Sequence, residues 1–237
     1  MKNIIIIPAR MQATRFPNKP LVDIDGTPMI LRVYNQAVKA NIGDVWVAGG
    51  DTEIVNCVKN MGGNAILTDN DLPSGTDRIY QALNRIGTSV DTIINVQGDI
   101  PTVNPSVITT VANILKDGAD ITTACALITN EDEINNPNIV KVYADFTKNN
   151  TASAFKREAT GEAPFYHHIG LYGYTADSLK KFISLPQSQN EIINKLEQLR
   201  AMDNGMRIDV CCVDDVPFGV DTPEDAKKVI EFLQSQK

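Results

Sequence analysis

Arg10, Arg15 and Lys19 fall within ten residues of one another, in a loop (Pro8 to Leu21) that Pro8, Pro17 and Pro20 stiffen. Two guanidiniums offer forked donors and the lysine a mobile point charge, a combination that can clamp a triphosphate. The loop is neither a GxGxxG nor a Walker sequence, so a conventional dinucleotide or P-loop site is excluded. The alternative is a solvated basic loop. Asp99 follows the apolar run Thr92–Val96 at Gln97-Gly98-Asp99. A carboxylate there is a good magnesium anchor, since magnesium near phosphates takes one or two protein carboxylates. Asp221 is the natural second ligand, although alone it reads as an acidic helix entrance favoured by the helix dipole. His167 and His168, the only histidines, begin a strand. Side chains alternate there, so one of the two faces a site. His168, Gly170, Tyr172 and Tyr174 then share a polar, aromatic side, and His167, Ile169, Leu171 and Gly173 share the other. Glu197 and Gln198 lie on a helical stretch, Ile192 to Arg200. The ordinary reading of Glu197 is a surface pair with Arg200, worth ~0.2–0.5 kcal/mol.

These residues need a scaffold. Ile4–Ile7 is a continuous β-branched run, the pattern of a strand buried on both faces, with Pro8 expected to end it. Helices are expected from Met29 to Ala40 and from Asp51 to Met61, where Gly62-Gly63 stops the second. Strands are expected at Asp44–Ala48, Asn64–Leu67, Thr92–Val96 and Ile121–Leu127. Ser74 and Asp77, three apart, read as a capping box opening a helix. Pro105 starts a helix that runs to about Lys116. This β–helix–β rhythm predicts a mostly parallel sheet, wound right-handed, with helices on both faces.

After about Asn130 the rhythm changes. Shorter strands at Val140–Ala144, Thr151–Phe155 and Ile169–Tyr174 predict a small antiparallel lobe, roughly 131–205, inserted in a single domain 1–237. Helices follow from about Ser178 and Glu191, and Ile208–Val213 returns as a core strand. Thr222-Pro-Glu-Asp225 is a helix start, with Thr as cap and Pro at the first position, and the helix runs to about Leu233.

The chain of 237 residues carries 22 Lys+Arg against 29 Asp+Glu, a net charge of −7. That acidity argues against nucleic acid or an anionic membrane surface as the main partner. Residues 1–39 nevertheless carry +4, which points to a local anion site. No apolar run approaches the ~20 residues of a membrane span and no signal peptide is evident, so a cytoplasmic protein is expected. The cysteines at 57, 125, 211 and 212 form no zinc pattern and read as reduced, core or near-core side chains.

In order, the pieces PARMQATRFPNKPLVDIDGTPMI, SGTDR, NVQGDIP, NPNIVKV, HHIGLYGY, KLEQLRAM and GVDTPED span the chain. Together they resemble the CMP-Kdo synthetases, the 3-deoxy-manno-octulosonate cytidylyltransferases of lipopolysaccharide synthesis. The N-terminal loop is shared by many sugar nucleotidyltransferases, whereas HHIGLYGY, LEQLR and VDTPED together are specific. The resemblance implies a Rossmann-like nucleotide-diphospho-sugar transferase fold, a homodimer, Mg²⁺ as cofactor, and the reaction of CTP with Kdo to give CMP-Kdo and pyrophosphate. It gives Arg10, Arg15, Lys19, Asp99 and Asp221 the catalytic roles, the two aspartates holding metal. Pro8, Ala9, Ser74, Gly75, Arg78 and Gln97 join Arg10 and Lys19 around the nucleotide, while Arg157, His168, Tyr172, Glu197 and Gln198 line the sugar pocket. The sequence departs from the family at Ile100, often Glu, and across Lys156–Gly161, and the linker to the histidines is short. The acid sugar therefore stays open between Kdo, an 8-amino analogue and a sialic-acid-like compound. A catalytically silent nucleotide-binding regulator on the same fold is the more distant alternative.

Overall fold

Ile4, Ile5, Ile6 and Ile7 are each at most 1% exposed, as a strand covered on both faces requires. They belong to a computed structural model that describes residues 2–12 and 15–237; Ala13 and Thr14 of the basic loop lie outside that set. The chain forms two compact units, residues 1–109 with 217–237, and residues 110–216.

The first unit begins with β1 (Asn3–Ala9), a 3₁₀ turn at Lys19–Leu21 and a short hairpin of β2 (Asp23–Ile24) and β3 (Thr27–Pro28), which was not anticipated. Then follow α1 (Met29–Lys39), β4 (Gly43–Gly49), α2 (Thr52–Asn60), β5 (Asn64–Leu67), α3 (Gly75–Ile86), β6 (Thr92–Asn95) and α4 (Pro105–Ile114). In this unit the strand order is β6-β1-β4-β5, all parallel. The chain steps from β1 to β4 to β5 through α1 and α2, then returns through α3 to the far side of β1. Right-handed crossovers therefore put α1 and α2 on one face and α3 on the other. The reversal at β1 makes a topological switch point, and open α/β sheets bind ligands outside the strand ends there.

Pro8 does not end β1, which continues to Ala9. Ile6 faces β6, its carbonyl accepting from Val96 N, and Pro8 points to the same side. The β1–β6 ladder stops at Ile6 and Asn95, whereas the β1–β4 ladder runs on to Ala9 and Gly49. The missing N–H of Pro8 thus falls where no partner strand needs it.

The second unit contains β7 (Ile121–Leu127), α5 (Glu131–Asn135), β8 (Lys141–Ala144), β9 (Ala152–Lys156), β10 (Tyr166–Thr175), α6 (Ala176–Ser184), α7 (Gln189–Asn194), α8 (Gln198–Asp203) and β11 (Ile208–Val213). β11 pairs parallel with β7, while β7–β10, β10–β8 and β8–β9 are antiparallel. The expected helix through Glu197 is two helices. Lys195 adopts a left-handed backbone, φ +54°, which ends α7 and lets buried Leu196 turn inward before α8. β10 slips against β7 between Ile169, opposite Ala124, and Tyr172, opposite Thr123. Gly170 and Leu171 have no counterpart on β7, so the simple alternation expected across this segment is interrupted by a bulge. Cys125 and Cys211 are buried and Cys57 half-buried, all free; Cys212 is exposed instead of near-core, because it alternates with Cys211 along β11.

The chain re-enters the first unit and ends in α9 (Pro223–Ser235). The Thr222 hydroxyl accepts from Asp225 N, and the Asp225 carboxylate accepts from Thr222 N at 2.9 Å, a complete capping box. Val220 N donates to Asp99 O at 2.8 Å. Val220 also packs with Ile24, Met29, Ala226 and Val229. Among the described residues no helix is long and apolar enough to cross a membrane.

Candidate active site

At the carboxyl ends of β1 and β6, a cavity of about 400 Å³ opens in the first unit. Pro8, Ala9, Arg10, Arg15, Lys19, Ser74, Gly75, Arg78, Gln97, Asp99 and Asp221 all line it, with Gln12, Pro20, Met29, Leu72 and Gly98. Lys19 is its hub. The ammonium donates to Asp99 Oδ2 at 2.9 Å and to Asp221 Oδ1 at 3.1 Å, while Arg15 Nη2 holds Asp221 Oδ2 at 3.0 Å. Burial lowers the Lys19 pKa, but the charges and bonds of Asp99 and Asp221 outweigh it and leave it raised. Lys19 is therefore a cation throughout the physiological range. Arg10 is exposed and makes no ion pair among the described residues.

The walls have local causes. Ser74 caps α3, its oxygen accepting from Thr76 N and Asp77 N at 3.1 Å each. Asp77 answers through the Ser74 hydroxyl, at 2.7 Å, in place of the expected reciprocal backbone bond. The positive end of α3 therefore lies at the cavity, a favourable place for an anion. Arg78 is 2% exposed and donates to Thr68 Oγ1 and to the Asp69 and Asn70 carbonyls. Burial lowers its pKa, and the neighbouring Arg10 charge adds to that. Arg78 thus shapes the wall by holding residues 68–70. A Cβ on Gly98 would stand 2.8 Å from Pro8 O, so only glycine lets the β1 and β6 ends approach this closely.

Asp51 and Thr68 escaped the sequence reading. Asp51 precedes α2 in the manner of an ordinary cap, yet its side chain makes no cap bond. Its Oδ2 instead accepts Met11 N at 2.8 Å and so pins the basic loop 40 residues back in the chain.

The remaining expected site residues lie in the second unit. His168 is 8% exposed, with Nε2 3.0 Å from Thr123 Oγ1. Burial, and next the charge of His167, depress its pKa to about 3, so the ring is neutral. The rings of His168 and Tyr172 are 5.5 Å apart and those of Tyr172 and Tyr174 6.2 Å, so these three remain neighbours despite the bulge. Burial raises the Tyr172 pKa, and the Tyr174 and Glu197 charges push the same way, so the phenol keeps its proton. Arg157 donates to the carbonyls of Asn194 (2.8 Å), Pro137 (3.2 Å) and Lys195 (3.2 Å), which fastens it beside Glu197 and Gln198. Its own carbonyl, with that of Asn136, accepts from the fully buried Lys141 ammonium at 3.0 and 2.7 Å.

The expected Glu197–Arg200 pair is within reach, but Arg200 is not at the surface and has a closer partner. It is buried and forks onto Glu191 at 2.5 and 2.8 Å, with Glu197 4.0 Å away. The turn at Lys195 brings α8 back onto α7, so the partner comes from the preceding helix. Gln198 is buried as well. His167 lies near Glu133, Nδ1 to Oε2 3.5 Å, yet burial lowers its pKa more than that carboxylate raises it.

Among the described residues no group of three or more His, Cys, Asp or Glu converges to hold a metal. Asp99 and Asp221 form a two-carboxylate, oxygen-only set, sufficient where phosphate oxygens complete the shell.

Comparison with known proteins agrees with this geometry. A 3-deoxy-manno-octulosonate cytidylyltransferase from Parvibaculum lavamentivorans is 50% identical over 232 residues, covering 95% of this chain and 90% of its own. One from Paramagnetospirillum magneticum is 47% identical, covering 98% of both chains. A solved CMP:2-keto-3-deoxy-manno-octonic acid synthetase complexed with CTP superimposes over the full length of both chains with a TM-score of 0.94 and 35% identity. A nucleotidyl transferase from Methanothermobacter thermautotroptrophicus, at 13% identity and TM-score 0.67, shares the fold. The family model described as cytidylyltransferase matches residues 4–208, and with a polyphosphate-sized cavity at the sheet's switch point this chain belongs to the cytidylyltransferase family.

Proposed function

We propose that the enzyme transfers CMP from CTP to the C2 hydroxyl of Kdo, releasing pyrophosphate. The observation that carries this reading is the charge pattern of the first-unit cavity, with Lys19 held between Asp99 and Asp221 and Arg15 on the outer side. The names and near-complete overlap of the relatives support CTP and Kdo as the substrates.

Phosphoryl transfer of this kind needs positioning and charge neutralisation more than covalent chemistry. Arg10, Arg15 and Lys19 hold the triphosphate and neutralise the departing pyrophosphate. Drawn to the phosphate, Lys19 and Arg15 loosen from Asp99 and Asp221, whose oxygens suit Mg²⁺. Bound there, Mg²⁺ would screen phosphate charge and lower the pKa of the attacking hydroxyl. Ser74 and Gly75 supply the anion-favouring helix end, and Pro8, Ala9 and Gln97 border the nucleotide. In the second unit, His168 and Tyr172 offer oriented polar groups to the sugar, and Arg157 steadies the Glu197–Gln198 segment. The activity belongs in the cytoplasm, a reading that a CTP substrate supports. The enzyme works as a homodimer, a reading that the exposed Ile192 and Ile193 support as apolar surface a partner copy would cover.

The test is pyrophosphate release with CTP, ATP or GTP against Kdo, its 8-amino analogue and a sialic acid, with Mg²⁺ present. CTP with Kdo should give the highest kcat/KM. Equal turnover with a purine nucleotide, or a clear preference for another acid sugar, would overturn the assignment.

A further inference from the structure

Thr123 Oγ1 lies 2.8 Å from Leu171 O, 3.1 Å from Ile169 O and 3.0 Å from His168 Nε2. Leu171 O belongs to the bulge of β10, where Gly170 and Leu171 have no partner on β7, and Ile169 O to the residue opposite Ala124 just before it. A hydroxyl has one hydrogen and two lone pairs, and carbonyls only accept. The Thr123 hydrogen must therefore point at the bulge, with Leu171 O the nearer acceptor. Directed at the ring instead, it would leave a bare oxygen 2.8 Å from a carbonyl oxygen. Oγ1 is thus left as an acceptor towards His168, and the ring nitrogen facing it must carry a hydrogen. A neutral imidazole has one N–H. The other nitrogen, Nδ1, makes no hydrogen bond to a described residue and is not among the sealed polar atoms that lack a partner.

We propose that Thr123 is a positioning residue for the sugar: its hydroxyl fixes the Nε2–H tautomer of His168 and so presents Nδ1 as a hydrogen-bond acceptor for a substrate hydroxyl. This rests on the reading that His168 touches the sugar. Phe155, edge-on at 4.9 Å, and Tyr172 hold the ring in place. Depression of the ring pKa by burial keeps the acceptor lone pair available at neutral pH. The bulge thus acts in catalysis at one remove, because the carbonyls of Leu171 within it and Ile169 at its edge orient the hydroxyl that orients the histidine. A regular strand would leave the Thr123 hydrogen free to turn either way.

The experiment combines imidazole ¹⁵N NMR of the unliganded enzyme with steady-state kinetics of Thr123→Val and Thr123→Ser. With two histidines, a His167→Gln variant assigns the spectrum. Wild-type His168 should show hydrogen on Nε2 and a bare Nδ1. Thr123→Val should shift that tautomer balance and raise the sugar KM about tenfold, the scale of one hydrogen bond, with CTP KM unchanged within about twofold. Thr123→Ser should restore both. An Nδ1–H tautomer in the wild type overturns the role of Thr123, and that spectrum decides even if the valine variant does not fold. Equal losses for CTP and sugar, or an unchanged sugar KM in a folded valine variant, also overturn it. A His168→Ala enzyme with normal sugar KM overturns the sugar contact itself, a failure that the wild-type spectrum keeps separate from that of the tautomer.

Discussion

The first-unit cavity and the His168–Tyr172 region of the second unit are built on opposite electrostatic plans. In the cavity, formal charges stand close together and partly in water: Arg15 and Asp221 have side chains 66% and 52% exposed, and Lys19 bridges two carboxylates. At His168 the key groups are sheltered and neutral, the buried ring unprotonated and the half-buried Tyr172 phenol protonated, and orientation comes from hydrogen bonds and ring packing. A polyphosphate is recognised by charge that can exchange partners. A sugar is recognised by donors and acceptors whose direction is set beforehand. Mobile charge belongs where ions must be exchanged, and fixed neutral dipoles belong where hydroxyl patterns are read.

This contrast is open to attack, most strongly at the carboxylates. Asp99→Asn and Asp221→Asn should each fold normally and lower kcat by about a hundredfold or more at saturating Mg²⁺, since each removes charge from a single unit. The double variant should be barely worse than either single one, as residues acting together are not additive. Near-normal turnover by Asp221→Asn in the pyrophosphate assay would reduce that residue to a helix entrance.

The neutral region should respond more mildly and only through the sugar. His168→Ala is expected to raise the sugar KM or lower kcat about tenfold, while His167→Ala changes catalysis little. The reverse ranking in sugar kinetics would show that His167, beside Glu133, is the contact.

Acid should separate the plans without any substrate. The His168 pKa is about 3 in the folded chain, below its ordinary value of 6.5. The unfolded chain therefore takes up a proton first as pH falls. Stability is fully present above pH 6.5 and declines by up to about 1.4 kcal/mol per pH unit on the way to pH 3. Urea unfolding of wild type and His168→Gln between pH 7 and 5 should show a shallower decline in the variant; parallel curves would mean that the ring protonates in place.

The smallest effect should come from the exposed rim. Arg15→Ala is expected to alter unfolding stability by no more than about 0.5 kcal/mol, because surface ion pairs contribute little. A larger loss in the same urea experiment would mean that the Arg15–Asp221 pair holds the fold as well as the ligand.

Much of this molecule was legible in its sequence wherever the determining interactions are local. The Ile4–Ile7 run, the Ile121–Leu127 strand, the Thr222–Asp225 cap and the Ser74 helix start each depend on neighbours within a few positions. Hydrophobic period and capping chemistry operate over that range. The basic loop and Asp99, which line the cavity, could likewise be marked as candidates, since charge beside an apolar strand end is a short-range signal. What tertiary structure alone decided is which distant groups meet. Lys19 reaches Asp99 and Asp221 from 80 and 202 positions away. Asp51 turns from its helix to the loop, Arg200 forks onto Glu191 from the preceding helix, and Lys141 is sealed beneath two carbonyls. The bulge that gives Thr123 its part exists only because β10 lies against β7 in a slipped register. Strand order, a left-handed residue at Lys195 and the slip in β10 set these encounters, and each is settled by packing across the fold, beyond the reach of any local pattern in the chain.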